Sequence, residues 1–172
     1  MAQLTDDAFA FGGDLMRIEE ALALVADHVP PVAEIERVAL TEADGRVLAR
    51  PLVAPVDLPP FDNSAVDGYA VAHASLEREG PTVLPVAGRI AAGHGGGHRA
   101  EGRVAVRIFT GAPMPEGCDT VFMQEDVTVL DDGRVRLPAG LKPGANARPR
   151  GEDVARGSEV LAAGRRLDPR DV

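Results

Sequence analysis

Proline and glycine interrupt this chain at such short intervals that no element of secondary structure can run long. Nineteen glycines and 14 prolines are spread along 172 residues. Their spread argues for many short elements joined by turns rather than for disorder. One helical period is legible near the start. Ile18, Leu22, Val25 and Val29 recur at steps of four, three and four and fall on one face. Glu19 and Glu20 sit in the first turn, where the helix dipole favours anions, and Pro30-Pro31 stops the run. Residues 1–13 read as a flexible leader. A second, shorter helix is expected near Thr41, a plausible N-cap, with Ala43, Val47 and Leu48 turned inward.

From Pro51 the texture changes. Residues 51–60 hold four prolines and an apolar pattern that suits an extended crossing strand better than a helix. Short β-like runs follow at Val83–Ile90, Val104–Phe109, Val121–Gln124 and Val127–Leu130. The last precedes Asp131-Asp132-Gly133 and then Val135 and Leu137, a strong hairpin signal. Glu159–Leu161 and Arg165–Leu167 flank Ala163-Gly164 and suggest a second hairpin. The expected class is α+β and mainly β, with short N-terminal helices and a β-rich part built of short strands and hairpins.

Aromatic residues make up 3% of the chain and tryptophan is absent, so the core must come from Val, Leu, Ile and Ala. The formal charge is −9. Such a field repels nucleic acid and anionic membrane surfaces, and neither is an expected partner. An anionic small molecule would need a local basic cluster or a cation. A lone cysteine, Cys118, excludes an internal disulfide and fits a reducing compartment. No stretch approaches the ~20 apolar residues of a membrane span, and a cytoplasmic protein is expected.

Three segments concentrate polar chemistry. The first, Pro59 to Ala70, holds Asp62, Asn63, Ser64 and Asp67 between prolines and Gly68. A stiff loop of this kind can bind a metal, orient a substrate or act as a base. It can equally be a turn whose side chains bond their own backbone. The second, Arg107 to Gly117, ends a strand at Thr110 before glycine, where a hydroxyl can meet a phosphate or another polar ligand group, or simply bond its own backbone. The third, Lys142 to Asp153, is the compact basic cluster of an acidic chain. Arg148 and Arg150 beside Glu152 and Asp153 can grip an oxyanion or form a solvated salt-bridge loop. His94 and His98 frame three glycines without an evident third ligand, which argues against a metal site. Cys118 reads as a packing residue.

Taken together, the three segments resemble the molybdopterin molybdenumtransferase family, which includes the E domain of gephyrin. The family's Pro-Pro-Phe-Asp-Asn-Ser-Ala-Met-Asp-Gly-Tyr-Ala-Val is matched from Pro59 to Val71, with Val66 in place of Met. Its Thr-Gly-Ala-Pro-x-Pro-x-Gly matches Thr110 to Gly117. Its Gly-x-Asn…Arg-Gly-Glu-Asp matches Gly144 to Asp153, with Pro149 a local variation. Gly45 to Ala49 also resembles the family's opening.

The resemblance implies the first two of four domains. Residues 1–57 would open the first domain, 58–144 would form an inserted β-rich second domain, and 145–172 would return to the first. The third and fourth domains would lie outside this sequence. It implies insertion of molybdate into adenylylated molybdopterin with release of AMP, assisted by Mg²⁺, at a site shared across a homodimer. This chain would supply one wall and be inactive alone. The implied catalytic residues are Asp67, Thr110 and Asp153; Arg148 would neutralise anionic charge, and Ser64, Asp62 and Glu125 would support the site. The metal ligands stay open. The molybdopterin adenylyltransferase that supplies the substrate is an expected partner. The competing expectations are a non-catalytic dimerisation or scaffold module, and a metal-dependent hydrolase using Asp62 and Asp67.

Overall fold

A computed structural model of the chain describes residues 16–30, 33–93 and 99–172. The leader expected over 1–13 and the His94/His98 pair lie outside the described residues. Among the described residues the architecture is mainly β with one α-helix, in agreement with the expected class. Helix α1 spans Ile18–His28. Glu20 accepts the Arg17 amide at its N-terminal end, and His28 Nδ1 lies 2.8 Å from the Leu24 carbonyl in its last turn. Its apolar stripe forms as the period requires, but no residue of the helix is buried; Ile18 and Val25 are 74% and 59% exposed.

The second helix expected near Thr41 shrinks to a single 3₁₀ turn, Leu40–Glu42. Gly45, at φ 78°, ends it. Ala43 is buried as expected, while Val47 is 61% exposed, because residues 46–48 leave the turn as an extended segment. Arg46 and Leu48 exchange backbone hydrogen bonds with Arg165 and Leu167. This pairing also corrects the second hairpin. Residues 159–161 and 165–167 turn about Gly164 but do not pair with each other. Strand β1, Leu52–Val53, takes the antiparallel partner β11, Glu159–Leu161. Farther along, Leu58 bridges Val154. The proline-rich stretch is extended, as its prolines dictate, and borrows its partners from the chain's far end.

Between these segments lies a four-stranded sheet. Its strands are β3 (Gly68–Val71), β5 (Val86–Ile90), β6 (Ala105–Ile108) and β7 (Thr120–Met123), in the order β5-β6-β3-β7. Only β5 and β6 run parallel. Alternation sends side chains to opposite faces. On one face Ala70, Ile90, Val106, Ile108 and Val121 pack with Ala112. On the other, Val71, Ala105 and Phe122 meet Leu84, Val135 and Leu137 of a three-stranded sheet. That second sheet is β4 (Thr82–Leu84), β9 (Val135–Leu137) and β8 (Thr128–Val129). The β8–β9 hairpin is the one expected around Asp131-Asp132-Gly133. The run expected from Val83 to Ile90 divides at Pro85: β4 joins one sheet and β5 the other, since proline cannot donate to a ladder. Phe122, Leu84, Ile108 and Leu137 are each at most 2% exposed. Each side chain contributes roughly 1.5–3 kcal/mol of burial, which lets so small an aromatic complement suffice. A last short pair joins β2, Asn63–Ser64, to β10, Ala147–Arg148.

Candidate functional site

The Pro59–Ala70 loop is tied to the rest of the fold through the backbone of Pro59, Asp62, Ser64, Ala65 and Asp67. Ser64 is 1% exposed; its hydroxyl donates to the Val66 carbonyl at 2.6 Å and lies 3.3 Å from the Val66 amide. Its amide and carbonyl engage Ala112 and Gly111, which ties the first motif to the second. The Ala65 amide bonds Asn146, which ties it to the third. Asp67 then stands at the entry to β3. The next residue must be glycine for a packing reason. A Cβ on Gly68 would lie 1.8 Å from the Phe122 carbonyl oxygen, so β3 and β7 approach each other where only hydrogen fits.

On its other edge β3 pairs with β6, Gly68 opposite Ile108, and this places Asp67 against the end of β6. Its Oδ1 accepts both the amide of Thr110, at 2.8 Å, and the Thr110 hydroxyl, at 2.7 Å. These two donors, backbone first, hold the Asp67 carboxyl below the usual carboxylate range, and the nearby Arg107 charge adds to the effect. Asp67 is therefore ionised at neutral pH. An ionised carboxylate only accepts, so the Thr110 proton is committed to it. The Thr110 hydroxyl is thus left to act only as an acceptor.

Arg107 extends the cluster. It donates to the Gly68 carbonyl and to Gln124 Oε1, and Gln124 Nε2 donates to Glu125 at 2.9 Å. Glu125 thereby belongs to the Asp67 side of the site. Arg107 Cζ lies 5.1 Å from the centre of the Tyr69 ring and 4.7 Å from that of Phe109, and Arg89 Cζ lies 4.5 Å from Phe109. Neither Arg89 nor Phe109 was singled out in the sequence. The alternation of the β6 run, with Arg107 on the polar phase, was the signal for Arg107.

The basic segment forms a second cluster. Arg148 donates to Glu152 at 2.6 Å and to Asp153, which raises the guanidinium pKa, Asp153 contributing most. Asp62 accepts the Arg150 amide at 2.7 Å. Asp57, which the sequence reading passed over, accepts the Arg156 amide at 2.7 Å and Arg150 Nε at 2.6 Å. The Arg156 amide first, and Arg150 second, hold the Asp57 carboxyl low.

Among the described residues no hydrogen bond or ion pair joins Asp153 or Arg148 to Asp67 or Thr110. By side-chain hydrogen bonds the expected residues fall into two groups, Asp67 with Thr110 and Arg148 with Asp153. The backbone ties the groups together: Arg148 pairs with Asn63, beside Asp62 and Ser64, and Ser64 bonds Ala112 and Gly111 next to Thr110. A cleft of about 590 Å³ lined by His73, Leu76, Thr82 and Leu141 includes none of these residues. No group of three or more His, Cys, Asp or Glu side chains suited to a metal ion occurs among the described residues. Cys118 is partly buried, and burial together with Asp119 pushes its thiol up to about 11, which agrees with a packing role. No described helix is long and apolar enough to cross a membrane.

A small, mainly β unit carrying an Asp–Thr pair and an Arg–carboxylate cluster on surface loops is the class of protein defined by this geometry. Residues 16–172 match the family model described as the MoeA N-terminal region, domains I and II, and the chain belongs to that family. It is 39% identical over 155 residues to the molybdopterin molybdenumtransferase of Haemophilus influenzae, covering 90% of this chain and 38% of the relative. It is 44% identical over 158 residues to that of Synechococcus elongatus, covering 88% and 38%. The crystal structure of a molybdopterin biosynthesis MoeA protein from Pyrococcus horikoshii superposes with a TM-score of 0.77 at 36% identity, covering 89% of this chain and 41% of that one. The chain therefore spans well under half the length of these relatives.

Proposed function

We propose that this chain acts in molybdenum cofactor biosynthesis as the N-terminal part of a molybdopterin molybdenumtransferase. Molybdate is inserted into adenylylated molybdopterin with release of AMP. One observation carries the reading: Asp67 of the first motif and Thr110 of the second, 43 residues apart, are joined by two hydrogen bonds to one carboxylate oxygen. Asp67 Oδ2 makes no hydrogen bond among the described residues, and it is the atom left to orient substrate. Thr110, its proton committed, accepts from an N–H of the pterin edge rather than donating to a phosphate. Arg148 meets anionic charge and is held by Asp153 and Glu152, while Asp62 braces the Arg150 backbone.

Mg²⁺ fits this chain in a limited sense. It is commonly held by one or two carboxylates together with substrate phosphates, and Asp67 offers one carboxylate oxygen. When bound it would neutralise phosphate charge. The division into 1–57 with 145–172 around 58–144, a homodimer with a shared cleft, a cytoplasmic setting and supply of substrate by an adenylyltransferase complete the proposal. The exposed apolar stripe of α1 favours a second reading, a dimerisation or scaffold module without chemistry of its own.

The test is molybdate- and Mg²⁺-dependent AMP release from adenylylated molybdopterin. The chain alone should be silent and activity should return with the C-terminal domains supplied. Release by the chain alone would overturn the one-wall proposal. In the longer enzyme, Asp67→Asn should lower turnover at least ~100-fold, as loss of a general acid-base or orienting group does, with unchanged circular dichroism. Normal turnover would remove Asp67 from the mechanism.

A further inference from the structure

The face of the four-stranded sheet that carries Phe122 and Val71 is only partly covered by the three-stranded sheet. One transverse row runs across it: Arg89 lies opposite Arg107, Arg107 opposite Tyr69, and Tyr69 opposite Phe122. Residues in direct register share a face. Two arginines thus stand side by side on neighbouring strands, an arrangement that like-charge repulsion disfavours. Phe109 holds the pair together, its ring centre 4.5 Å from the Arg89 guanidinium carbon and 4.7 Å from that of Arg107. The alternation Tyr69, Arg107, Phe109, Arg89 offsets part of the repulsion with ring quadrupoles.

Ring stacking leaves the guanidinium edges, where the N–H donors lie, open for other partners. Arg107 uses part of its edge on the Gly68 carbonyl and on Gln124. Arg89 is exposed and, among the described residues, its donors meet no acceptor. Neither guanidinium forms an ion pair with a carboxylate among them, although the whole chain carries 27 Asp and Glu. Phe109 directly precedes Thr110, and the Arg107 charge acts on Asp67. A doubly cationic edge, neither guanidinium of which is ion-paired with a carboxylate among the described residues, therefore borders the Asp67–Thr110 pair.

We propose that Arg89 and Arg107, splayed on Phe109, form a fork for a tetrahedral oxyanion bound beside Asp67. Paired guanidiniums match the oxygen geometry of such an anion. A dianion between them would relieve the repulsion that the register builds in. The inference deepens the proposed function, and rests on its placing substrate at Asp67. The oxyanion is either a phosphate group of the substrate or free molybdate; both present the same tetrahedral array of charged oxygens. Arg89 and Arg107 are binding residues in this scheme, and Phe109 is a positioning residue that sets the angle between them.

The experiment titrates the chain at low salt with inorganic phosphate, AMP and molybdate in turn. It follows the backbone amide resonances of Phe109 and Thr110 in the unsubstituted chain and in Arg89→Gln, Arg107→Lys and Asp67→Asn. Arg89 is exposed, so Arg89→Gln should keep the fold, and Arg107→Lys keeps charge while losing the planar fork. The expected result is saturable binding that weakens at least tenfold in Arg89→Gln and in Arg107→Lys. Binding of AMP and phosphate assigns the fork to a substrate phosphate, whereas saturation by molybdate alone assigns it to the metal oxyanion. Absence of saturable binding by all three, or equal affinity in the Arg89→Gln chain, overturns the fork. In the longer enzyme Arg89→Gln should raise KM at least tenfold for the assigned anion with little change in kcat. An unchanged KM there, while Asp67→Asn is inactive, refutes the fork and leaves the Asp67 site standing. Asp67→Asn with normal turnover removes the reading beneath it instead.

Discussion

Substituting Gly68 by alanine tests how the site is held in place. The added Cβ would lie 1.8 Å from the Phe122 carbonyl oxygen, 2.8 Å from its carbonyl carbon and 3.2 Å from Val121 Cγ1. Real Cβ atoms essentially never approach a heavy atom closer than 3.0 Å, so the strands must separate by about 1.2 Å at that point, from 1.8 Å to 3.0 Å. Paired strands normally lie about 4.8 Å apart, so this is a quarter of the spacing. β3 cannot move away freely, because β6 pairs with its other edge. Overpacking by a single methyl group costs roughly 1–3 kcal/mol where side chains can give way. Here the obstacle is backbone, and about 3 kcal/mol or more is expected. In a domain of this size that lowers Tm by roughly 6–12 °C, at about 2–4 °C per kcal/mol. Gly88→Ala in β5 is the matched control. Nothing lies within 4 Å of its added Cβ and its φ is not in the left-handed region. Reduced freedom of the unfolded chain should make it neutral or stabilising by up to ~1 kcal/mol. Thermal unfolding of both variants by circular dichroism decides the matter. A Gly68→Ala chain melting within about 2 °C of the unsubstituted protein would refute the close-approach argument.

Other consequences follow from the same structure. Leu137→Ala empties a fully buried position between the two sheets and should cost ~2–5 kcal/mol, read as a lower urea midpoint with an unchanged slope. The carboxyls of Asp57, Asp67, Asp132, Asp168 and Asp171 are all held below their ordinary value of 3.8 in the fold. The unfolded chain therefore binds protons first; their stabilisation is full above about pH 4 and drains away as pH falls through the lower folded values. Tm should accordingly fall below pH 4, and a flat profile from pH 5 to pH 3 would contradict the hydrogen-bond pattern. With its thiol pushed up to about 11, Cys118 should react with a disulfide reagent at pH 8 much more slowly in the native chain than in urea. Equal rates would show the thiol to be accessible and unperturbed.

The scarcity of aromatics, the abundance of Pro and Gly, and the short alternating runs were enough to establish a mainly β chain with an aliphatic core. Local chemistry also determined the hairpin at Asp131-Asp132-Gly133 and the end of α1, since turn propensity and helical period act over a few residues. Partnership over long separations was not legible. Residues 46–48 and 165–167 each look like ends of local elements, yet they pair with each other because each offers an open backbone edge that only the folded chain brings together. The split at Pro85 was visible as a proline, but the choice of two different sheets depended on which edges were vacant.

For the candidate site, the residue types and the three motifs were written in the sequence, as was the resemblance that they carry. The tertiary structure decided which of them meet. It joined Asp67 to Thr110 through one carboxylate oxygen, buried Ser64 as a brace, and bonded Arg148 to Asp153 rather than to Asp67. It also placed Arg89 and Arg107 together on Phe109, a grouping that no spacing along the chain announces. The physical reason is the same in each case. Backbone propensity is local, whereas the geometry of a site is set by strand register, and register is decided only when both faces of a sheet have found their cores.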